Sequence, residues 1–439
     1  MAIGTGQTAR KSLVAVADRT VVAVVNMGTG VLVGRCCEPA DFAAYVVAFS
    51  IFVLSTMVQQ ALVAGPLSIL GASRDGADAV RFSGSMLVLQ SLAALLMSAL
   101  VAVSAVLLHT LGASGPAMTS SLLALAGVLF FLQTRDFLRT LFFSRLYPGR
   151  ALVVDCIFSA VYVASVGCLW LGSTGAWSPP RPGMLSGHTV FLAAGTSAAL
   201  ALLPGIWMAR NLLERPSSSL PSHLSEAWRF GRWGLIRSGS NYVNTYSSLY
   251  ALGLLSSAAE VAALGAIRQV VNLLPLVFQP ALNIMVPKLA RAYVGAGWAT
   301  ANRKMWIYAC GLMVLAAPLC IATSVCARPI MHHLYAGRYD SYAMIASVWI
   351  VFQVVLKIPL LFLFTMSAVT RRPWIRAMAS LAATPLTLVG LILMVPSLGV
   401  LGAMAVTSSV GVAICVASYA WTAVCEKRGP VENALAETT

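Results

Sequence analysis

Long apolar segments recur along the whole chain and are separated by short polar connections. At a rise of about 1.5 Å per residue, a helix of roughly 20 apolar residues crosses the hydrocarbon core of a bilayer. The pattern predicts an all-α polytopic membrane protein with twelve transmembrane helices. The twelve segments are Ser12–Gly34, Ala40–Val63, Phe82–Leu108, Pro116–Gln133, Ala151–Leu171, Thr189–Ala209, Trp233–Leu255, Val261–Val286, Met305–Cys326, Tyr342–Phe364, Ile375–Val395 and Gly399–Val424.

Lysine and arginine are distributed unevenly between the connections. Alternate connections hold most of them, for example the one from Arg210 to Arg232. The intervening connections hold Arg35, Arg181, Arg328 and Arg338. Because basic residues accumulate on the cytoplasmic side, both termini are predicted to be cytoplasmic in a multi-pass protein of the cell inner (cytoplasmic) membrane.

The longest polar connection, residues 210–232, lies near the middle of the chain and is rich in serine and proline. It predicts a cytoplasmic linker between two pseudo-symmetric six-helix lobes. The lobes are residues 1–209 and 233–424, followed by a cytoplasmic tail, 425–439. Corresponding segments run in the same direction, so the halves are predicted to be parallel repeats with a site between them.

Composition agrees with a membrane location. Hydrophobic residues make up 59% of the chain, charged residues 10%, and the mean hydropathy is +0.84. The net charge of +15 does not indicate nucleic-acid binding, because the basic residues sit in short connections and form no arm or stripe. The short apolar stretch from Leu13 to Ala17 ahead of Asp18 is not typical of a signal peptide, so this segment is expected to remain as the first span.

No motif for catalysis, metal binding or a cofactor is found. The nine cysteines form no C-x-x-C pair and no cluster with histidine, so free, packed thiols are expected. The five histidines lie in connections or at segment ends without a recognisable catalytic partner. We therefore predict a protein that is not an enzyme and has no metal or cofactor.

The predicted eighth helix carries a charged residue inside a spanning segment. Arg268, Asn272, Gln279 and Asn283 follow at helical spacing and share one face, with Pro275 among them. A charge at membrane depth costs about 2.5 to 3.5 kcal/mol on insertion scales, so this face is predicted to line a cavity. The alternative is a structural arginine that binds helix carbonyls or a neighbouring carboxylate.

The predicted seventh helix has a longer polar face. Its members are Arg237, Asn241, Asn244 and Ser248, and they are flanked by Tyr242, Tyr246 and Tyr250. Amides and aromatic rings together suit a sugar, whose hydroxyls need hydrogen bonds and whose ring faces stack. The alternative is helix packing through serine, asparagine and tyrosine hydrogen bonds.

Two further helices carry polar groups at depth. In the first, Arg19 and Asn26 share a face, although Arg19 could also reach the cytoplasmic interface. In the tenth, Gln353 and Lys357 lie one turn apart. Asp18 is the one carboxylate well inside a predicted span, since Asp155 lies nearer an edge, where a cap or a salt bridge explains it.

Cations therefore outnumber carboxylates within the predicted spans: Arg19, Arg237, Arg268 and Lys357 against Asp18. An excess of positive charge in a cavity suits an anionic cargo, because arginine binds phosphate oxygens bidentately. An exporter of cationic drugs is expected to show the opposite sign.

Several stretches, together with the topology, resemble a known family. They are Arg229 to Gly234, Gly265 to Gln269, Pro280 to Leu282 and Pro287 to Ala290. The chain resembles the polysaccharide or O-antigen flippases (Wzx type) of the multidrug/oligosaccharidyl-lipid/polysaccharide (MOP) exporter superfamily over nearly its whole length.

The resemblance implies two six-helix lobes that move a polyprenyl-diphosphate-linked oligosaccharide to the outer leaflet by alternating access, for surface polysaccharide or lipopolysaccharide biosynthesis. It implies that the four intramembrane cations meet the diphosphate, and that Asn26, Asn241, Asn244, Tyr246, Asn272 and Gln353 complete the substrate site. Asp18 is the candidate for proton or ion coupling. The implied partners are the lipid-linked oligosaccharide, membrane lipids, a polysaccharide polymerase and other export machinery.

Two other functions were weighed. A cation-coupled multidrug exporter of the related MATE branch has the same topology. A membrane glycosyltransferase or polymerase would usually present a large outer loop with catalytic residues, and the outer connections here are short.

Overall fold

The structure is a computed structural model that describes residues 5–71, 74, 76–174, 184–214, 220–271, 274–370 and 372–427. Within these ranges the side chains of 5–19, 274–284, 286, 287, 353, 354, 364, 368 and 373 lie outside the described residues. All regular secondary structure in the described ranges is helical. The predicted all-α class is therefore confirmed.

The chain divides into two compact units, an N-terminal unit, Met1–Gly239, and a C-terminal unit, Ser240–Thr439. The helices that begin in the N-terminal unit are α1 (Thr5–Cys36), α2 (Pro39–Gln59), α3 (Gly65–Ile69), α4 (Gly76–Thr110), α5 (Pro116–Ser144), α6 (Pro148–Thr174), α7 (Gly187–Ala209) and α8 (Leu220–Leu255). A π-helical turn, Gln60–Ala64, joins α2 to α3.

The helices of the C-terminal unit follow the second half of α8. They are α9 (Ala258–Val271), α10 (Leu274–Val325), α11 (Ala327–Tyr335), α12 (Ala343–Val355), α13 (Lys357–Val369) and α14 (Pro373–Lys427). Two of them change direction at a glycine in the left-handed region, Gly297 in α10 with φ 73° and Gly399 in α14 with φ 52°. Glycine suits both breaks because other residues rarely adopt such angles.

Local sequence explains several helix starts. Proline occupies the first turn of α2 and α5, where its missing N–H costs no hydrogen bond. At α7, Ser186 and Thr189 form a capping box, in which each side chain accepts a hydrogen bond from the other's backbone N–H.

Eight helical segments of the described residues are long and apolar enough to cross a membrane. Among the described residues the predicted spans fall on helices. The prediction of twelve spans is therefore consistent with the structure, although the number found is not the same. The difference has identifiable sources. Segment Trp374–Glu426 contains two predicted spans, α1 is counted only from Thr20, where its described side chains begin, and neither α8 nor α9 is among the eight.

Helix α5 is the centre of the N-terminal unit and contacts α2, α4, α6 and α7. Its side chains Leu125, Leu129 and Phe137 are fully buried. On α7, a Cβ at Gly195 would lie 2.2 Å from Cγ1 of Val128 on α5, so only glycine allows this approach. Close packing through small residues is the usual means of helix association in lipid, where apolar side chains gain little by leaving the solvent.

The predicted linker and tail differ from the observed elements. Residues 220–232 form the first part of α8 and pack in the N-terminal unit, where a Cβ at Gly231 would lie 2.7 Å from the carbonyl oxygen of Ala61. Residues 425–427, assigned to the tail, are the last turn of α14. There Glu426 accepts a hydrogen bond from Tyr293 at 3.0 Å and pairs with Arg372 at 3.4 Å. The polar residues of these two segments were predicted to lie outside helices, because a hydropathy pattern detects only the apolar part of a helix and not its polar extensions.

A polar cluster around the buried His223 joins the start of α8 to α4. Nδ1 of His223 is 2.9 Å from the hydroxyl of Ser85, and Nε2 is 3.4 Å from the guanidinium of Arg74. Arg74 also pairs with Asp78 at 2.9 Å and with Glu226 at 2.5 Å. Burial lowers the pKa of His223 from its ordinary 6.5 and the Arg74 charge lowers this pKa further, whereas Asp78 and Glu226 oppose the shift. The neutral imidazole is therefore favoured in the folded protein.

We expect acidification to destabilise this cluster. The unfolded chain takes up the His223 proton at a higher pH than the folded chain, so the stability contribution is present above pH 6.5 and is lost as the pH falls below it. The thermal unfolding midpoint of detergent-purified protein should fall between about pH 7.5 and pH 5.5, and His223→Gln should reduce the fall. His109→Gln, at an exposed position, is the control. An equal response in wild type and His223→Gln would contradict the assignment.

Candidate functional site

A cavity of about 270 Å³ lies within the C-terminal unit, between α8, α9, α12, α13 and α14. We refer to it as the C-terminal cavity. Five of the residues predicted to bind substrate line it: Asn241, Asn244, Tyr246, Arg268 and Lys357. Hydroxyl groups of Ser380, Thr407 and Ser408 and the aromatic rings of Trp349 and Phe352 contribute further lining.

Arg268 on α9 uses one terminal nitrogen of its guanidinium for the fold, while the other is buried without a hydrogen-bond partner among the described residues. Nη2 donates to the carbonyl oxygen of Thr245 at 2.6 Å and to the hydroxyl of Ser248 at 2.9 Å. The charged carbon lies 5.1 Å from the ring centroid of Tyr246, within range of a cation–π interaction. Nη1 is buried and makes no hydrogen bond with the described residues. The structural alternative therefore accounts for only one of the two terminal nitrogens.

Lys357 is the first residue of α13. Helix α12 ends two residues earlier, and Pro359 in the first turn of α13 is compatible with a new helix start because its missing N–H would be unpaired there anyway. The ammonium lies within electrostatic range of Arg268 and makes no hydrogen bond or ion pair within the described part of the chain. The break between two short helices thus places a second cation beside the first.

Asn244 serves helix packing, although it also lines the cavity. Its amide nitrogen donates to the carbonyl oxygen of Ser380 at 2.9 Å, and its amide oxygen accepts from Thr387 at 2.8 Å. Both partners lie on α14. The hydroxyls of Tyr242 and Tyr250 are 2.5 Å apart. The contacts of Asn244 correspond to the packing alternative for the polar face of α8, whereas Tyr242 and Tyr250 pair within α8 and Asn241 is exposed at the cavity.

The structure does not bring every predicted residue to this cavity. Arg237 is exposed and is not among the lining residues. It lies seven residues before Asn244 on the same helix, which is about 10 Å along the axis. Arg237 belongs to the N-terminal unit and Arg268 to the C-terminal unit, so their sharing of one cavity stays a prediction. The side chains of Asp18, Arg19, Asn272 and Gln353 lie outside the described residues.

Asn26 lines a different cavity, of about 120 Å³, within the N-terminal unit. We refer to it as the N-terminal cavity. Charged side chains of Arg135, Asp136 and Arg139 also line it. Asp155, which is fully buried, lies 3.4 Å from Arg135 and 2.9 Å from Arg139.

The salt bridge of Asp155 agrees with the sequence prediction, whereas the positions of Arg135 and Arg139 at the cavity were not predicted. Both arginines were predicted to lie in a cytoplasmic connection, because the apolar run ends at Gln133. Helix α5 instead continues to Ser144. The spacing of four residues between the two arginines was the available signal, since it places them on one helix face.

The two cavities differ in charge. Among the described residues that line the C-terminal cavity there are two cations, Arg268 and Lys357, and no carboxylate. The N-terminal cavity and the buried Asp155 behind it contain two arginines and two aspartates. The C-terminal cavity is therefore suited to an anion, and the N-terminal cavity is electrically balanced.

No sequence-family model matches this chain, and no curated protein matches it in sequence. Solved structures do match. One is an inward-facing multidrug resistance MATE family transporter of the MOP superfamily, with a TM-score of 0.68, 13% identity and coverage of 92% of this chain and 94% of that chain. Another is the lipid II flippase MurJ in an inward closed conformation, with a TM-score of 0.71, 12% identity and coverage of 92% and 86%.

This chain has the fold of the MOP superfamily transporters. A MOP superfamily transporter from Pyrococcus furiosus also matches, with a TM-score of 0.65, 12% identity and coverage of 95% of each chain. Its binding pocket is described as having reverse polarity that suggests a different function. Together with the eight apolar helices, this shared fold indicates a multi-pass membrane protein.

Proposed function

We propose that this protein is a flippase that moves a polyprenyl-diphosphate-linked oligosaccharide from the cytoplasmic to the outer leaflet of the cell inner membrane by alternating access. The observation that carries the proposal is the C-terminal cavity, in which Arg268 and Lys357 lie together without a carboxylate among the described lining residues. In this proposal both termini are cytoplasmic, and the glycan passes to a polymerase and other export machinery.

The geometry of the two cations suits a diphosphate. The unpartnered Nη1 of Arg268 can donate to a phosphate oxygen while Nη2 remains bound to α8. Lys357 supplies a compact second charge. Two like charges in a site of low dielectric repel each other, and an anion with several oxygen atoms between them relieves the repulsion. Asn241 and Tyr246 can serve hydroxyls of the adjoining sugar.

The positive charge of the C-terminal cavity also distinguishes this proposal from its alternative, a cation-coupled multidrug exporter of the MATE branch. A cationic drug would be repelled by Arg268 and Lys357 and would find no carboxylate among the described lining residues. The likeness to MATE transporters and to MurJ supports the shared fold equally, so the choice rests on this charge.

Proteoliposomes test the proposal. Wild-type protein should move a fluorescent undecaprenyl-diphosphate oligosaccharide between leaflets and should not move ethidium. Lys357→Gln should slow lipid movement at least tenfold, because loss of a charge-assisted contact costs roughly 1.5 to 3 kcal/mol. Lys357→Arg should retain most of the rate.

Lys304→Gln, at an exposed position on α10, is the matched control and should leave the rate unchanged. Movement of ethidium without movement of the lipid would overturn the proposal and favour the drug exporter.

A further inference from the structure

The N-terminal cavity has aromatic walls. Tyr45, Phe49, Phe52, Phe158, Tyr162 and Phe191 line it. The rings of Tyr45 and Phe191 have centroids 5.4 Å apart, and those of Phe158 and Tyr162 are stacked at 5.5 Å. These contacts hold the rings in place. Tyr45, Phe158, Tyr162 and Phe191 are nearly buried, whereas Phe49 and Phe52 keep partly exposed apolar surface.

Several polar groups in this cavity have unused hydrogen-bonding capacity. Tyr45 is 4% exposed, and its hydroxyl makes no hydrogen bond with the described residues. The amide of Asn26 likewise has no hydrogen-bond partner within the ranges that the structure describes. Arg135 is 5% exposed, and its Nε is buried without a hydrogen-bond acceptor among those residues. Polar groups inside a protein normally find partners, so the unpartnered hydroxyl of the buried Tyr45 and the unpartnered amide of the half-buried Asn26 at this cavity indicate a ligand that supplies them.

The charges in and behind this cavity cancel. Arg135 lies 3.3 Å from Asp136 and 3.4 Å from Asp155, and Arg139 lies 2.9 Å from Asp155. The guanidinium of Arg135 also lies 3.8 Å from the ring centroid of Phe158. Neither an anion nor a cation gains a net electrostatic advantage there, in contrast to the C-terminal cavity.

We propose that the N-terminal cavity binds a neutral pyranose ring. The apolar C–H faces of a sugar pack on aromatic rings, and its hydroxyls both donate and accept hydrogen bonds. Tyr45, Asn26 and Arg135 provide the complementary groups. The volume of about 120 Å³ is small beside the 300–1,000 Å³ of drug-sized sites, which indicates one ring. This inference rests on the proposed function, in which the sugar is part of the cargo.

The experiment uses full-length protein in nanodiscs and saturation-transfer difference NMR. The probes are the methyl glycosides of glucose, galactose, mannose, rhamnose and N-acetylglucosamine, and inorganic pyrophosphate is measured separately. At least one glycoside should show saturation transfer with the wild type. Tyr45→Phe should weaken its binding about three- to tenfold, as expected for one lost hydrogen bond, and Asn26→Leu should weaken it at least as much.

Tyr147→Phe is the matched control, because Tyr147 is an exposed tyrosine of the same unit and does not line the cavity. The inference is overturned if no glycoside shows saturation transfer, or if Tyr45→Phe binds the glycoside as tightly as Tyr147→Phe does. Pyrophosphate binding should be unchanged in Tyr45→Phe and weakened in Arg268→Ala. If pyrophosphate binding were unchanged in Arg268→Ala, this result would count against the proposed function. It is independent of the result with the glycosides, which tests the N-terminal cavity.

Discussion

The Arg268→Ala variant is expected to move lipid-linked oligosaccharide on the order of 100-fold more slowly than the wild type. Removal of one partner of a desolvated charge contact costs roughly 2–5 kcal/mol, which corresponds to a loss of this size. Arg268 is expected to contribute more to diphosphate binding than Lys357, because a planar guanidinium can donate hydrogen bonds to two oxygen atoms at once. Arg268→Lys should recover only part of the rate, since a lysine keeps the charge but lacks the bidentate hydrogen-bonding geometry of a guanidinium.

Arg268 also contacts α8, so the experiment must separate transport from folding. Ser248→Ala removes the hydroxyl that accepts from Nη2 at 2.9 Å and leaves the charge in place. This variant should share any folding defect that comes from the lost contact, and its transport rate should stay close to that of the wild type. The measurement is leaflet exchange in proteoliposomes, normalised to folded protein. A wild-type rate of lipid exchange in Arg268→Ala would contradict the proposal that the C-terminal cavity binds an anion.

The Asp155→Ala variant is expected to have the largest effect on stability. Asp155 is fully buried and pairs with both Arg135 and Arg139, so its loss leaves two guanidinium groups without their shared carboxylate. Removal of one partner of a buried ion pair typically costs about 3–5 kcal/mol. Asp155→Asn preserves the shape but not the charge, and it should also be destabilised because hydrogen bonding alone does not neutralise two cations.

Asp78→Ala is the control for this substitution. The Asp78 carboxylate is largely exposed and pairs with Arg74, and exposed ion pairs contribute about 0–1 kcal/mol. The checks are the yield of monodisperse protein in detergent and the midpoint of thermal unfolding, measured for both variants side by side. If Asp155→Ala and Asp78→Ala unfolded at the same temperature, the ion-pair cluster would not be a determinant of stability.

The candidate site was predictable from the sequence where a charge interrupts an apolar run. Arg268 and Lys357 were found in this way, because the cost of burying an ion in lipid makes an isolated charge informative without any knowledge of its neighbours. Asn244 was less predictable. Its position on the polar face of α8 is compatible with binding or packing, and only the contacts with Ser380 and Thr387 show that its amide is occupied.

Other residues required the tertiary structure. Arg237 follows the same helical periodicity as Asn244 but is exposed, since periodicity defines a face and not what covers it. Arg135 and Arg139 lie beyond the end of an apolar run, and hydropathy could not show that α5 carries them alongside α6. Their contact with Asp155 joins residues of different helices, which no local pattern reports.

The sequence by itself determined the all-helical membrane class and revealed the cations that interrupt its apolar runs. These properties follow from the energy of placing each side chain in lipid or water, which is additive along the chain. The tertiary structure decided which cations share a cavity, which amides are already bonded, and that a balanced cavity with aromatic walls exists in the N-terminal unit. These properties depend on distances between helices, which packing sets and which the one-dimensional pattern does not contain.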